Sequence, residues 1–161
     1  MNMPQPSIFE RIANAHIAPF EGRYEGNANA AAVIACTHVP AEAERSALEA
    51  SFLQLGYAKG ALGWALIDKS TPCEDKARQK DASGIRLFDL IEAIDPLCLC
   101  ALDHAACAAL SRAYNTPLAL ETETLLLGRA CRCFESLDAL LSTEAGKRKA
   151  WELLKTMPKL N

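Results

Sequence analysis

Two polar side chains stand directly after apolar runs of the sequence and are the first candidates for chemistry. His38 follows the run 30–36 (AAAVIAC), and Asp68 follows the run 63–67 (GWALI). An imidazole titrates near neutral pH and can act as a general base, while a carboxylate can bind a ligand or a metal. We therefore take His38 and Asp68 as candidate catalytic residues, with solvated loop residues as the alternative for both.

Four further residues are candidates for ligand binding because they also follow apolar runs: Thr37, Asp103, His104 and Ser136. Asp103 is well placed to cap the helix that begins at His104, and Ser136 is an equally good helix cap. At that helix N-terminus His104 could help to hold an anion. Capping alone is the alternative role for Asp103 and Ser136.

The seven cysteines have the spacing of core residues. They are Cys36, Cys73, Cys98, Cys100, Cys107, Cys131 and Cys133. No C-x-x-C occurs, and the pairs 98/100 and 131/133 would each share one face of a strand. Cysteines locked in a sheet rarely reach tetrahedral geometry together, so we expect no metal site, no cofactor and no disulfide framework. Buried reduced cysteine behaves as a small hydrophobe, which is the role we predict.

The elements that must position these residues alternate along the chain. Apolar runs predict strands over 30–36, 63–67 and 97–102, and partial alternation predicts a fourth strand over 128–134, nearer an edge of the sheet. Amphipathic or capped segments predict helices over 41–55, 83–94, 103–114, 136–141 and 145–157. Strands that alternate with helices form a parallel sheet covered on both faces. We therefore predict an α/β fold, a three-layer α/β/α arrangement with a short, mostly parallel sheet of about four strands. Its ligand site belongs at the carboxyl ends of the strands.

The length of 161 residues fits one α/β domain over 1–161. Within it, 1–29 reads as an N-terminal helix and loop, and 69–82 reads as a mobile loop of mixed charge because it lacks apolar periodicity. The first residues lack the basic start and apolar core of a signal peptide, and no run is long enough to span a membrane. We expect a cytoplasmic protein without a membrane partner.

Two segments of the second half resemble the uracil-DNA glycosylase superfamily. In 91–110 (IEAIDPLCLCALDHAACAAL) a helix ends before a proline, a strand runs to an Ala-Leu turn, and an alanine-rich helix follows. In the last segment, Gly128-Arg129 opens a strand, Ala-Leu-Leu follows at 139–141, and 147–155 reads KRKAWELLK. The likeness covers roughly 50 residues and implies the fold of that superfamily.

The residues that would perform the chemistry of that superfamily differ here. Its last loop carries a histidine that stabilises negative charge on the base, and the matching position is Ser136. Asp103 stands where the superfamily has glycine, and Asp68 stands where several branches use an asparagine to read the base edge. His38 lies in the loop after the first strand, which lacks the usual glycines. The four cysteines of the branches with an iron–sulfur cluster also have no match.

The resemblance therefore implies a protein that binds a base, a nucleotide or nucleic acid without glycosylase activity. An active DNA glycosylase, or another hydrolase with relocated catalytic residues, is one alternative. A non-enzymatic interaction or scaffold protein is the other, and Trp151 could then lie in a homodimer interface. The net charge of −3 does not favour non-specific binding to nucleic acid, which depends on lysine and arginine.

Overall fold

The structure, a computed structural model, describes residues 4–67 and 86–160. The predicted loop 69–82, the proposed helix start at Ser83 and the candidate Asp68 lie outside these described residues. The helix predicted to follow Ser83 is present from Leu87 onward, and it ends at Ile94 ahead of Pro96 as predicted.

The strands are β1 (Tyr24–Glu25), β2 (Ala32–Cys36), β3 (Leu62–Leu66), β4 (Cys98–Ala101), β5 (Thr124–Leu126) and β6 (Arg129–Cys133). The α-helices are α1 (Ile8–Ile17), α2 (Glu42–Gln54), α3 (Leu87–Ile94), α4 (His104–Ala113), α5 (Leu137–Leu141) and α6 (Glu144–Leu154). A short 3₁₀ helix, Ala18–Phe20, follows α1. Within the described residues, the alternation of strands and helices confirms the predicted α/β class.

The described strands form one six-stranded sheet in the order β1-β3-β2-β4-β6-β5. The four inner strands are mutually parallel, and they are the four that the sequence predicts. The strand β6, expected nearer an edge, lies next to the edge strand β5. The two edge strands are antiparallel to their neighbours, so the predicted number of about four strands is wrong by two.

Both missed strands are too short or too exposed to carry an apolar pattern. The strand β1 has two residues between Gly22 and Gly26, inside a segment whose composition is that of a loop. The strand β5 pairs with β6 through a two-residue turn at Leu127 and Gly128, which have φ angles of 48° and 80°. Positive φ at both positions is the geometry that suits a tight hairpin.

Side chains that alternate along the inner strands build two apolar layers, one on each face of the sheet. Ile34, Cys98 and Cys100 face one layer, which α2, α5 and α6 cover. Val33 and Leu99 face the other, which α3 and α4 cover. The six described cysteines are buried and free, which confirms their predicted core role.

The strand order changes direction between β2 and β4. The chain passes from β2 to β3 on one side of β2, and then returns to place β4 on the other side. The carboxyl ends of β2 and β4 therefore border a topological switch point, where open α/β sheets bind ligands. No helix in the described ranges is long and apolar enough to cross a membrane.

Candidate functional site

Three of the predicted site residues meet at the switch point: Thr37, His38 and Asp103. They come together because β2 and β4 are adjacent and parallel, so the residues after Cys36 and Ala101 leave the sheet at the same edge. The backbone N–H of Thr37 donates to Asp103 Oδ2 at 3.1 Å, and the Thr37 hydroxyl donates to the same oxygen at 2.9 Å.

Asp103 also caps α4, as the sequence predicts. Its Oδ1 accepts from the backbone N–H of Ala106 at 2.8 Å. Burial raises the pKa of Asp103, but hydrogen bonds from Ala106 and Thr37, together with the charge of His38, outweigh burial and hold the pKa below its ordinary value. Asp103 is therefore ionised at neutral pH, and donors from two elements satisfy its oxygens.

His38 lies between two carboxylates. Its Nδ1 is 3.4 Å from Asp103 Oδ2, and its Nε2 is 3.1 Å from Glu44 Oε2. Each ring nitrogen of His38 thus lies against a carboxylate oxygen, one on the residue that caps α4 and one in the first turn of α2.

Glu44 is the member of this network that sequence reasoning missed. Its side chain is only 1% exposed, and its Oε2 also accepts from the backbone N–H of Ala41 at 2.9 Å. The acid in the first turn of α2 is typical of a favourable charge near a helix N-terminus. Its approach to His38, six residues earlier, depends on the turn between β2 and α2, and the sequence carries no pattern for that turn.

Ser136 and His104 lie at the same edge of the sheet. Ser136 caps α5 by accepting from the backbone N–H of Ala139 at 3.2 Å, and its backbone forms an isolated antiparallel bridge with Asp103. The backbone N–H of His104 donates to the Glu135 carbonyl at 3.0 Å, and the His104 side chain is exposed. The structure thus brings Ser136 beside Asp103 through the backbone, while its hydroxyl serves α5.

A cavity of about 230 Å³ opens beside this network, toward β3 and the edge strand β1. Its lining includes Tyr24, Glu25, Val39, Pro40, Arg45 and Trp64. Val39 and Pro40 belong to the loop that begins with Thr37 and His38, so the network fixes one wall of the cavity. This cavity could not be predicted, since the composition around Tyr24 and Glu25 is typical of a loop.

Arg45 connects the cavity walls. Its Cζ lies 4.6 Å from the centroid of the Trp64 ring, a cation–π contact. Its two terminal nitrogens donate to the two carboxylate oxygens of Glu25 at 3.1 and 3.0 Å. The hydrogen bond to Glu25 raises the pKa of Arg45 further above its ordinary value. The cavity thus combines a fixed cation with aromatic walls.

Cys36 also borders the cavity but is a poor nucleophile. Burial, followed by the charges of Asp103 and Glu44, raises the pKa of its thiol to about 12. The thiol donates to the Ala65 carbonyl at 3.5 Å. Among the described residues, no group of three or more histidine, cysteine or acidic side chains is placed to hold a metal ion.

No protein-family model and no curated protein matches this chain at a significant level. The network at the switch point can position the loop after β2, but its polar atoms already contact one another. The neighbouring cavity can take a small ligand with one planar or apolar part and one polar part.

Proposed function

We propose that this protein is a divergent member of the uracil-DNA glycosylase superfamily that binds a nucleobase or nucleotide without cleaving an N-glycosidic bond. The observation that carries the proposal is the cavity bounded by Tyr24 and Trp64, directly beside the switch point of the sheet. Sheets of this kind bind ligands in the crevice at the switch point, and the cavity lies next to that crevice. A base is recognised by stacking and by contacts to its edge.

The size of the cavity favours a small ligand. Pockets for drug-sized molecules span about 300–1,000 Å³. This one holds about 230 Å³, which suits a single base with part of its sugar outside. Trp64 and Tyr24 supply apolar surface for a base, and the ion pair of Arg45 and Glu25 lies at the rim.

The proposal excludes bond cleavage because the groups that could assist it are already engaged. His38 faces a carboxylate with each ring nitrogen, and Asp103 accepts from Ala106 and twice from Thr37. A general base needs an acceptor within reach of the substrate or of a water molecule. Ser136 uses its hydroxyl to cap α5. Asp68 stays a candidate from the sequence alone.

The test compares ligand binding with uracil release in the same preparation. Uracil, uridine and uridine monophosphate are titrated at moderate salt while the melting temperature is measured. A ligand at 100 times its Kd should stabilise the protein by about 2.7 kcal/mol, which is roughly 5–10 °C for a chain of this size. Single- and double-stranded DNA containing uracil should release none of it above the buffer control.

The variant Val39→Trp tests whether the ligand binds in this cavity. Val39 is exposed at the cavity mouth, so an indole there should block entry and abolish the thermal shift. Leu97→Trp is the matched control, because Leu97 is also exposed but precedes β4 at the opposite edge of the sheet. The proposal would be refuted if the ligand shifted the melting temperature equally in both variants. It would also be refuted if the wild type showed no shift, or if it released uracil from DNA.

A role in protein–protein interaction is the second candidate function, and the surface of α1 favours it. Ile8, Phe9 and Ile12 are all exposed, and Phe9 has 78% of its surface in contact with solvent. An exposed apolar patch of this kind is typical of an association surface. Phe9→Ser should then reduce any concentration-dependent mass seen by light scattering, whereas Leu53→Ser on α2 should not. A wild-type protein that stays monomeric at high concentration excludes the homodimer.

A further inference from the structure

We infer that Arg45 binds the phosphate of a nucleoside monophosphate, and that Glu25 occupies the phosphate position while the ligand is absent. The inference rests on the proposed function and narrows its ligand from a base to a nucleotide. It assigns Glu25 the role of an internal competitor that ligand binding displaces.

The geometry of the pair supports a phosphate position. The two terminal nitrogens of Arg45 donate in parallel to the two oxygens of Glu25, at 3.1 and 3.0 Å. This fork of two donors matches two oxygens of a phosphate as well as those of a carboxylate. A phosphate could take the place of the Glu25 carboxylate without any movement of the guanidinium.

Arg45 is held in place far more firmly than Glu25. Arg45 is 23% exposed and lies over the ring of Trp64, which belongs to an inner strand of the sheet. Glu25 is 70% exposed and lies on β1, a strand of two residues at the edge. Exposed ion pairs are weak, so release of Glu25 should reduce an apparent binding constant by only about two- to fivefold.

The surroundings favour a mononucleotide over a nucleic-acid strand. The cavity of about 230 Å³ has room for a base but not for neighbouring nucleotides. The whole chain has a net charge of −3, and Glu49 adds to the negative charge around Arg45. A polyanion would meet this charge at every phosphate beyond the first, whereas a mononucleotide needs one cation only.

The experiment measures the Kd of uridine, uridine monophosphate and a short single-stranded oligouridine by calorimetry. In the wild type, the monophosphate should bind about 10- to 100-fold more tightly than uridine, the gain expected from charge-assisted hydrogen bonds. Glu25→Gln should raise affinity for the monophosphate about two- to fivefold and leave that for uridine unchanged. Arg45→Gln should remove the advantage of the monophosphate.

Glu49→Gln is the matched control, because it removes the same charge near Arg45 without removing a hydrogen bond. An equal gain in Glu49→Gln and Glu25→Gln would mean general electrostatics and would overturn the displacement by Glu25. Equal binding of uridine and its monophosphate in the wild type and in Glu25→Gln would overturn the inference and leave base binding intact. If the oligouridine bound more tightly than the monophosphate, a mononucleotide would not be the ligand class. If none of the three probes bound, the proposed function would be refuted as well.

Glu25→Gln keeps the test decisive even if Arg45→Gln does not fold, since Glu25 is exposed and at the sheet edge. A fluorescence titration gives an independent readout. The chain has two tryptophans, so Trp151→Phe leaves Trp64 as the only one, 4.6 Å from the Arg45 Cζ. The emission of Trp64 in Trp151→Phe should change when the monophosphate is added. It should not change when Trp151→Phe is combined with Arg45→Gln.

Discussion

Asp103→Ala should be the most destabilising single change at the switch point. The substitution removes the cap of α4, which costs about 0.5–2 kcal/mol for a typical helix. It also removes the acceptor for the backbone N–H and the hydroxyl of Thr37, and a buried donor without a partner costs about 1–3 kcal/mol. The Asp103 side chain is 16% exposed, so water can replace part of this loss.

The two terms span about 1.5–5 kcal/mol together, and because water replaces part of the loss we expect a decrease of about 2–4 kcal/mol in the free energy of unfolding. For a chain of 161 residues this corresponds to a fall of roughly 5–15 °C in melting temperature. The assay is urea unfolding followed by far-ultraviolet circular dichroism and by tryptophan fluorescence. The midpoint should fall while the slope with urea stays unchanged.

Ser136→Ala is a control that removes a helix cap but leaves the hydrogen bonds between Asp103 and Thr37 in place. Ser136 caps α5 through Ala139, but the structure gives its hydroxyl no hydrogen bond to β2 or the loop after it among the described residues. This control should cost about 0.5–2 kcal/mol. If Asp103→Ala costs no more than Ser136→Ala, the hydrogen bonds to Thr37 do not stabilise the fold, and the reasoning about the switch point is refuted.

Two further predictions concern titration. Because the pKa of Asp103 is lower in the folded protein than in the unfolded chain, its stabilisation is present above the unfolded value of about 3.9 and is lost as the pH falls through the folded value. Urea midpoints measured from pH 7 down to pH 2.5 should therefore fall less steeply for Asp103→Asn than for the wild type, and parallel curves would contradict this. Burial raises the pKa of the Cys36 and Cys107 thiols to about 12, so Cys73→Ser should show no fast thiol reaction with Ellman's reagent at pH 8 until it is unfolded. A fast-reacting thiol in the folded variant would contradict the burial of the remaining cysteines.

The inner strands of the sheet could be predicted because three of them are continuous apolar runs and the fourth, β6, alternates arginine with small apolar residues. The residues of β2 and β4 are all buried, and such strands read as unbroken hydrophobic sequence. The edge strands could not, since β1 has only two residues and β5 exposes Leu125. Their pairing depends on the glycine-containing turns beside them rather than on side-chain pattern.

The convergence of Thr37, His38 and Asp103 could also be predicted, because parallel strands bring their carboxyl ends to one edge. The partner Glu44 and the cavity could not. Both depend on how α2 approaches the sheet, which places Arg45 against Glu25, 20 residues earlier in the chain. No local period of the sequence encodes a contact of that kind.

Asp103 also explains why the proposed ligand site lies beside the switch point rather than in it. On the proposed ancestry, a glycine at this position would leave the N-terminal N–H groups of α4 and the N–H of Thr37 open to the oxygen of a ligand. Here the Asp103 carboxylate accepts from both elements, at 2.8 and 3.1 Å, and its Oδ2 lies 3.4 Å from the Nδ1 of His38. The Asp103 carboxylate thus occupies the crevice between the carboxyl ends of β2 and β4. The proposed ligand would then use the neighbouring cavity, where Arg45 binds the carboxylate of Glu25, a side chain that is 70% exposed.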